Sequence, residues 1–261
     1  MSTPRVTLPR VCGAEWTKLF SLRSTWLVLG TAAISTVTLA GTISWAANRG
    51  GGVEQSLAEA VGRAYLGVDI FSLVLGIFGI LLVTGEYGSG LIRATLAAVP
   101  RRLPVLVAKA AVFSAVAVPV LAVVCVASFL LVQAFVAPGQ RVGLDAPGVP
   151  RATVGAALAP VALGLIGMGV GAMLRHTAGA ITAYVAALLV LPALLPAALP
   201  ASVRDDVLPY VPVAAAQATY AIGGAENPFP MLSPVKAALV VAAWVIAALA
   251  GGAAVLWRRD A

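Results

Sequence analysis

The sequence predicts an all-α polytopic membrane protein. It would have six transmembrane helices, an N-terminal amphipathic helix lying at the interface, and a short cytoplasmic helix between the second and third spans. Three observations lead there. The 261 residues are 61% hydrophobic and 10% charged, whereas a soluble domain carries about 25% charged residues. So few polar side chains cannot cover a water-facing surface of this size, so the natural solvent is lipid. Six long apolar runs are separated by short charge and turn clusters. Lys and Arg crowd into alternate clusters, as expected when positive charge sets membrane orientation. Residues 1–261 read as one transmembrane domain.

Residues 1–25 are basic, with Arg5, Arg10, Lys18 and Arg23 against one acid, Glu15. From Val11 to Leu22 the apolar residues recur at helical spacing. This predicts an interfacial helix with Val11, Trp16, Leu19, Phe20 and Leu22 on lipid and Lys18 and Arg23 toward water or phosphate. Residues 26–47 form the first span, long enough at about 1.5 Å per residue for a hydrocarbon core of roughly 30 Å. A polar loop over 48–67 follows, broken at Gly50-Gly51-Gly52. No Gly-Lys-Ser/Thr follows that triplet, so it is not a phosphate loop.

The second span covers 68–84, with Asp69 at its rim. The third covers 105–137, with its start at the cytoplasmic surface and a kink expected at Pro119. After a turn-rich loop over 138–151 comes the fourth span, 153–174. There Gly167 and Gly171 form a GxxxG pair suited to close helix packing, within the bundle first and between copies second. Arg175, His176 and Thr177 make a tight turn into the fifth span, 178–199. Pro192, Pro196 and Pro200 recur on one face of it, so its outer half is expected to be kinked or unwound. Residues 201–234 form a second outer segment, partly re-entrant or lying on the membrane, and 235–257 form the sixth span.

Six spans put both termini on one side. Arg5, Arg10, Lys18, Arg23, Arg93, Arg101, Arg102, Lys109, Arg175, Arg258 and Arg259 share that side, and the other six basic residues lie opposite. This places both termini in the cytoplasm. The basic residues sit in short loops without a basic helix or aromatic platform, so the net charge of +7 does not indicate nucleic acid. Cys12 and Cys125 lie in unlike surroundings and read as free thiols. With His176 the only histidine, no zinc site is expected. Ser89 and His176 lack a third orienting group and a buried cavity, and no nucleotide loop or HExxH is present, so no catalytic activity is expected. The near absence of charge inside the spans argues against an ion-driven carrier.

The chemistry concentrates in one island, Glu86 to Arg102, reading EYGSGLIRATLAAVPRR. Gly88 and Gly90 permit a sharp turn, Ser89 can cap a short helix over 91–98, and Pro100 ends it. A short helix presented by two rigid spans suits docking of a soluble partner. Glu86, at the membrane edge, is expected to pair with an arginine of the island or of the N-terminal helix. Continued to Lys109, the island resembles the segment after the second helix in ABC type-2 permeases, the membrane subunits of bacterial ABC exporters. The resembling residues are Glu86, Ser89-Gly90, Leu91-Ile92, Arg93, Thr95-Leu96, Pro100 and Arg101-Arg102. The six-span layout and the amphipathic start also fit that family.

The resemblance implies that Glu86, Gly90, Leu91, Arg93, Thr95, Leu96, Pro100, Arg101 and Arg102 belong to a coupling helix that docks on a separate cytoplasmic ABC ATPase. That subunit would bind the ATP, and no cofactor is expected in this chain. A second permease copy or a related permease, membrane lipid, and a place in the bacterial cytoplasmic membrane are also implied. A hydrophobic or lipid-like cargo suits the nearly charge-free spans. The alternative from another class is a non-transporting membrane scaffold whose island is an ordinary protein-binding loop.

Overall fold

The structure, a computed structural model, describes residues 7–49, 56–91, 103–223 and 230–258. Every regular element among them is helical. In order these are α1 (Leu8–Ser21), α2 (Arg23–Asn48), α3 (Leu57–Tyr65), α4 (Val68–Gly88), α5 (Leu103–Phe135) and α6 (Val149–Leu174). Then come α7 (Thr177–Ala198), α8 (Ala201–Val207), α9 (Pro212–Tyr220) and α10 (Pro234–Arg258). Six stretches are long and apolar enough to cross a membrane: α2, the α3–α4 stretch, α5, α6, α7 and α10.

The close packing is made by glycines. The α4–α6 contact is the most extensive in the bundle. An ideal Cβ on Gly79 would overlap the carbonyl oxygen of Gly164, and one on Gly167 would overlap that of Gly76. Gly171 would bring a Cβ within 3.1 Å of Ile80 O. Without side chains the two backbones meet directly, and the attraction comes from dispersion at short range rather than from a hydrophobic effect that lipid does not supply. Gly167 and Gly171 therefore act inside the bundle. On another face of α6, Gly169 lies against Ala248 of α10.

Several elements differ from the sequence expectation. The loop over 48–67 contains α3, started by a complete capping box: Glu59 N–H donates to Ser56 Oγ at 3.2 Å, and Ser56 N–H donates to Glu59 Oε2 at 3.1 Å. Two of the orphan amides at a helix start are satisfied in this way. The second span does not stop at 84 but continues as helix to Gly88, so Glu86 sits on its last turn. The third span is helical from Leu103 to Phe135 with Pro119 inside it, two residues longer at its start than expected. The fifth span, expected to be kinked or unwound in its outer half, departs from regular α-helix before its prolines. A π turn over Ala186–Val190, closed by Leu191 N–H to Ala186 O, precedes Pro192, and α-helix resumes over Leu191–Ala198. Proline crowds the carbonyl four residues back, and one extra residue in the preceding turn makes room for it. Pro200 lies outside the helix, at the N-cap of α8.

The segment after α7 is pinned to the bundle by polar bonds at the start of α4. Asp69 accepts from Gln217 Nε2 at 3.0 Å and from Tyr220 Oη at 2.9 Å. Arg151 donates to Thr219 O and Ala221 O, both at 2.7 Å. Both cysteines are free thiols.

Candidate functional site

At the other end of α4, about 26 Å along the helix axis from Asp69, three helices bring four charges together. Glu15 and Lys18, three residues apart, share a face of α1. Val11 and Leu19 flank Glu15 at helical spacing and are buried with it, Val11 against Val105 and Ala108 of α5. The buried stripe of α1 thus turns toward protein. This corrects the expected lipid-facing set: Val11 and Leu19 pack on the bundle, while Trp16, Phe20 and Leu22 stay exposed. Trp16 stacks on Phe20 with ring centroids 4.5 Å apart, and Phe20 meets Trp26 edge-on.

The four charges alternate in a ring. Lys109 Nζ lies 2.7 Å from Glu15 Oε2 and 2.7 Å from Glu86 Oε1. Lys18 Nζ lies 2.8 Å from Glu15 Oε1 and 2.9 Å from Glu86 Oε1. Glu15, Glu86 and Lys109 are 6%, 8% and 8% exposed, so this is a buried polar network. Its net charge is zero, which is what makes burial tolerable: isolated ions here would cost several kcal/mol each. Burial alone lowers the Lys18 ammonium, but the carboxylates of Glu15 and Glu86 outweigh it and hold its pKa above the ordinary 10.5. The Lys18 pairing is therefore present at neutral pH and lost only as pH rises through that raised value.

Three expectations change. Glu86 pairs with two lysines rather than with an arginine. Lys18, expected toward water or phosphate, is partly exposed and also brings its ammonium to the carboxylates of Glu15 and Glu86. Lys109, expected as a surface charge beside the island, is buried on the second turn of α5.

The island itself is described only at its start. Glu86 closes the ring; Gly90 adopts φ +73°, the left-handed turn that glycine accommodates; Leu91 follows, exposed. Ser89 Oγ donates back to Gly85 O at 2.8 Å, so its hydroxyl finishes α4. Arg93, Thr95, Leu96, Pro100, Arg101 and Arg102 lie outside the described residues. Beside Glu86, the ring of Tyr87 lies 5.3 Å from the Arg175 guanidinium, whose Nη2 donates to Val255 O of α10 at 2.8 Å. His176 Nδ1 accepts from Gly179 N–H at 3.0 Å and caps α7.

Sequence reading missed the ring as a unit. Two signals could have found it. Lys109 is an ionisable residue inside an apolar run, which calls for a partner. Glu15 is the one acid in a basic tail.

Fold and site together define a multi-pass α-helical bundle with an acid–base ring at the root of a polar connection. No protein-family model matches the chain, and no curated protein matches it either.

Proposed function

We propose that this chain is the membrane-spanning permease subunit of an ATP-driven exporter of the ABC type-2 kind, in the bacterial cytoplasmic membrane with both termini in the cytoplasm. A separate ATPase subunit hydrolyses ATP, and a second permease copy or a relative completes the path. The cargo is hydrophobic or lipid-like.

The observation that carries this reading is the ring. The island leaves the membrane at Glu86 and returns before Lys109, and these two side chains meet at 2.7 Å. The N-terminal helix joins them through Glu15 and Lys18. Force applied to residues 92–102 by a docked partner therefore enters α4, α5 and α1 at one rigid base. The close α4–α6 packing carries it onward. Leu91 and Leu96 fill a groove on the ATPase, and Arg93, Arg101 and Arg102 meet its acidic rim or anionic lipid.

The test is a pull-down of the tagged chain from detergent-solubilised native membranes, read by mass spectrometry and ATPase activity. An ATPase subunit is expected to co-purify in stoichiometric amount. Replacing Arg93 and Leu96 together is expected to remove it without changing membrane insertion. Retained co-purification in that variant counts against the docking role. A properly inserted chain with no ATPase at all favours the scaffold.

A further inference from the structure

Beside the ring, between the α1–α2 corner and α4, lies a cleft of about 470 Å³. That is within the roughly 300–1,000 Å³ of small-molecule sites. Its walls are apolar, formed by Val28, Phe78, Leu81, Leu82 and Val112, and the acid–base ring borders it. At the α1–α2 corner two hydroxyl side chains, Ser21 and Ser24, line it as well. A cleft that is greasy along its length and polar at one end matches an amphiphile.

The ring does not select the headgroup. Glu15, Glu86 and Lys109 are buried, and Lys18, the member that reaches the surface, already holds both carboxylates. Two ammonium groups balance two carboxylates, so the ring offers an ionic headgroup no surplus charge of either sign. Selection falls to the serines, both of which are exposed. Ser21 Oγ donates its proton to Lys18 O at 2.9 Å, which leaves that oxygen as an acceptor. Ser24 Oγ makes no hydrogen bond among the described residues, so its proton is there to donate. An acceptor near a donor matches a hydroxyl, which is both. It matches neither an ammonium, a donor alone, nor a phosphate, an acceptor alone.

We propose that this cleft holds one uncharged glycerolipid with a free hydroxyl, a diacylglycerol. One acyl chain lies along Phe78 and Leu82. The lipid hydroxyl donates to Ser21 Oγ and accepts from Ser24 Oγ. The site rests on the cleft alone and holds whether or not the chain is an exporter.

The purified full chain is delipidated and offered dioleoylglycerol, its 3-O-methyl ether or dioleoyl phosphatidate, and retained lipid is counted by native mass spectrometry. The ether keeps both acyl chains and lacks only the hydroxyl proton. The expected result is one dioleoylglycerol, held about tenfold better than its ether. Ser21→Ala is expected to hold the two equally, since the acceptor is gone. Gly85 lines the cleft, and a Cβ built there meets nothing within 4 Å, so a larger side chain enters empty space rather than packed protein. Gly30 of α2 has equally open surroundings and does not line the cleft. Gly85→Leu is expected to lose the diacylglycerol adduct about tenfold, Val28→Trp from the opposite wall likewise, and Gly30→Leu to keep it. Any phosphatidate retained is expected to be unaffected by Gly85→Leu. Equal retention of diacylglycerol and ether by wild type, no retained diacylglycerol, an unchanged adduct in both filled variants, or a phosphatidate adduct lost in them overturns the proposal.

Discussion

Replacing Lys109 by methionine is expected to lower stability by about 3–5 kcal/mol, the cost of removing one partner from a buried ion pair. The side chain is 8% exposed and contacts both Glu15 and Glu86 at 2.7 Å. Without it two carboxylates face each other in a buried site, with only the half-exposed Lys18 between them. For a chain of this size the midpoint moves by roughly 2–4 °C per kcal/mol, so a fall of about 10 °C is expected in detergent-solubilised protein. A thermal-unfolding scan checks it, and a midpoint unchanged from wild type sinks the account of the ring.

The same physics predicts a rescue. Removing all four charges together, as Glu15→Leu, Lys18→Met, Glu86→Leu and Lys109→Met, leaves no unpaired ion. Such replacements are often neutral or stabilising. The fourfold variant is expected to melt above Lys109→Met. If the ring also transmits force, that stable variant should fail in any ATP-coupled activity that wild type shows.

Gly79→Ala is expected to destabilise by about 2–3 kcal/mol, because the added methyl meets the backbone oxygen of Gly164 and neither helix can give by a rotamer change. Gly76→Ala is expected to cost a similar amount, because its methyl would overlap the Tyr184 phenol, which is buried and held by a 3.2 Å bond to Leu163 O. Gly85→Ala meets nothing within 4 Å and should be neutral or slightly stabilising through better helix propensity. The measured loss should be large for Gly79 and Gly76 and near zero for Gly85. Equal midpoints for all three would mean that the α4–α6 contact does not depend on backbone approach.

Apolar run length and charge placement alone determined the helical class and the position of six membrane-length stretches. Lipid leaves a spanning backbone no partner but itself, so hydropathy and helix coincide. The GxxxG pair at Gly167 and Gly171 was legible as internal packing for a similar reason: absent side chains announce close approach. Local chemistry was less legible. Ser56-x-x-Glu59 caps α3 inside what reads as a polar loop, and the distortion that the prolines announce takes the particular form of a π turn before Pro192.

Only the tertiary structure decided what the charges do. Glu15, Glu86 and Lys109 are separated by 71 and 23 positions, and nothing local indicates that they meet. An amphipathic pattern in α1 identifies a stripe but not its partner, since lipid and a neighbouring helix are equally apolar. The packing of Val11 on Val105 and Ala108 chose protein and carried Glu15 inside with it. Once buried, that carboxylate had to find a cation, and Lys109 and Lys18 were in reach. Long-range pairing of this kind follows from the cost of burying a charge alone, a cost that exists only when the chain has folded.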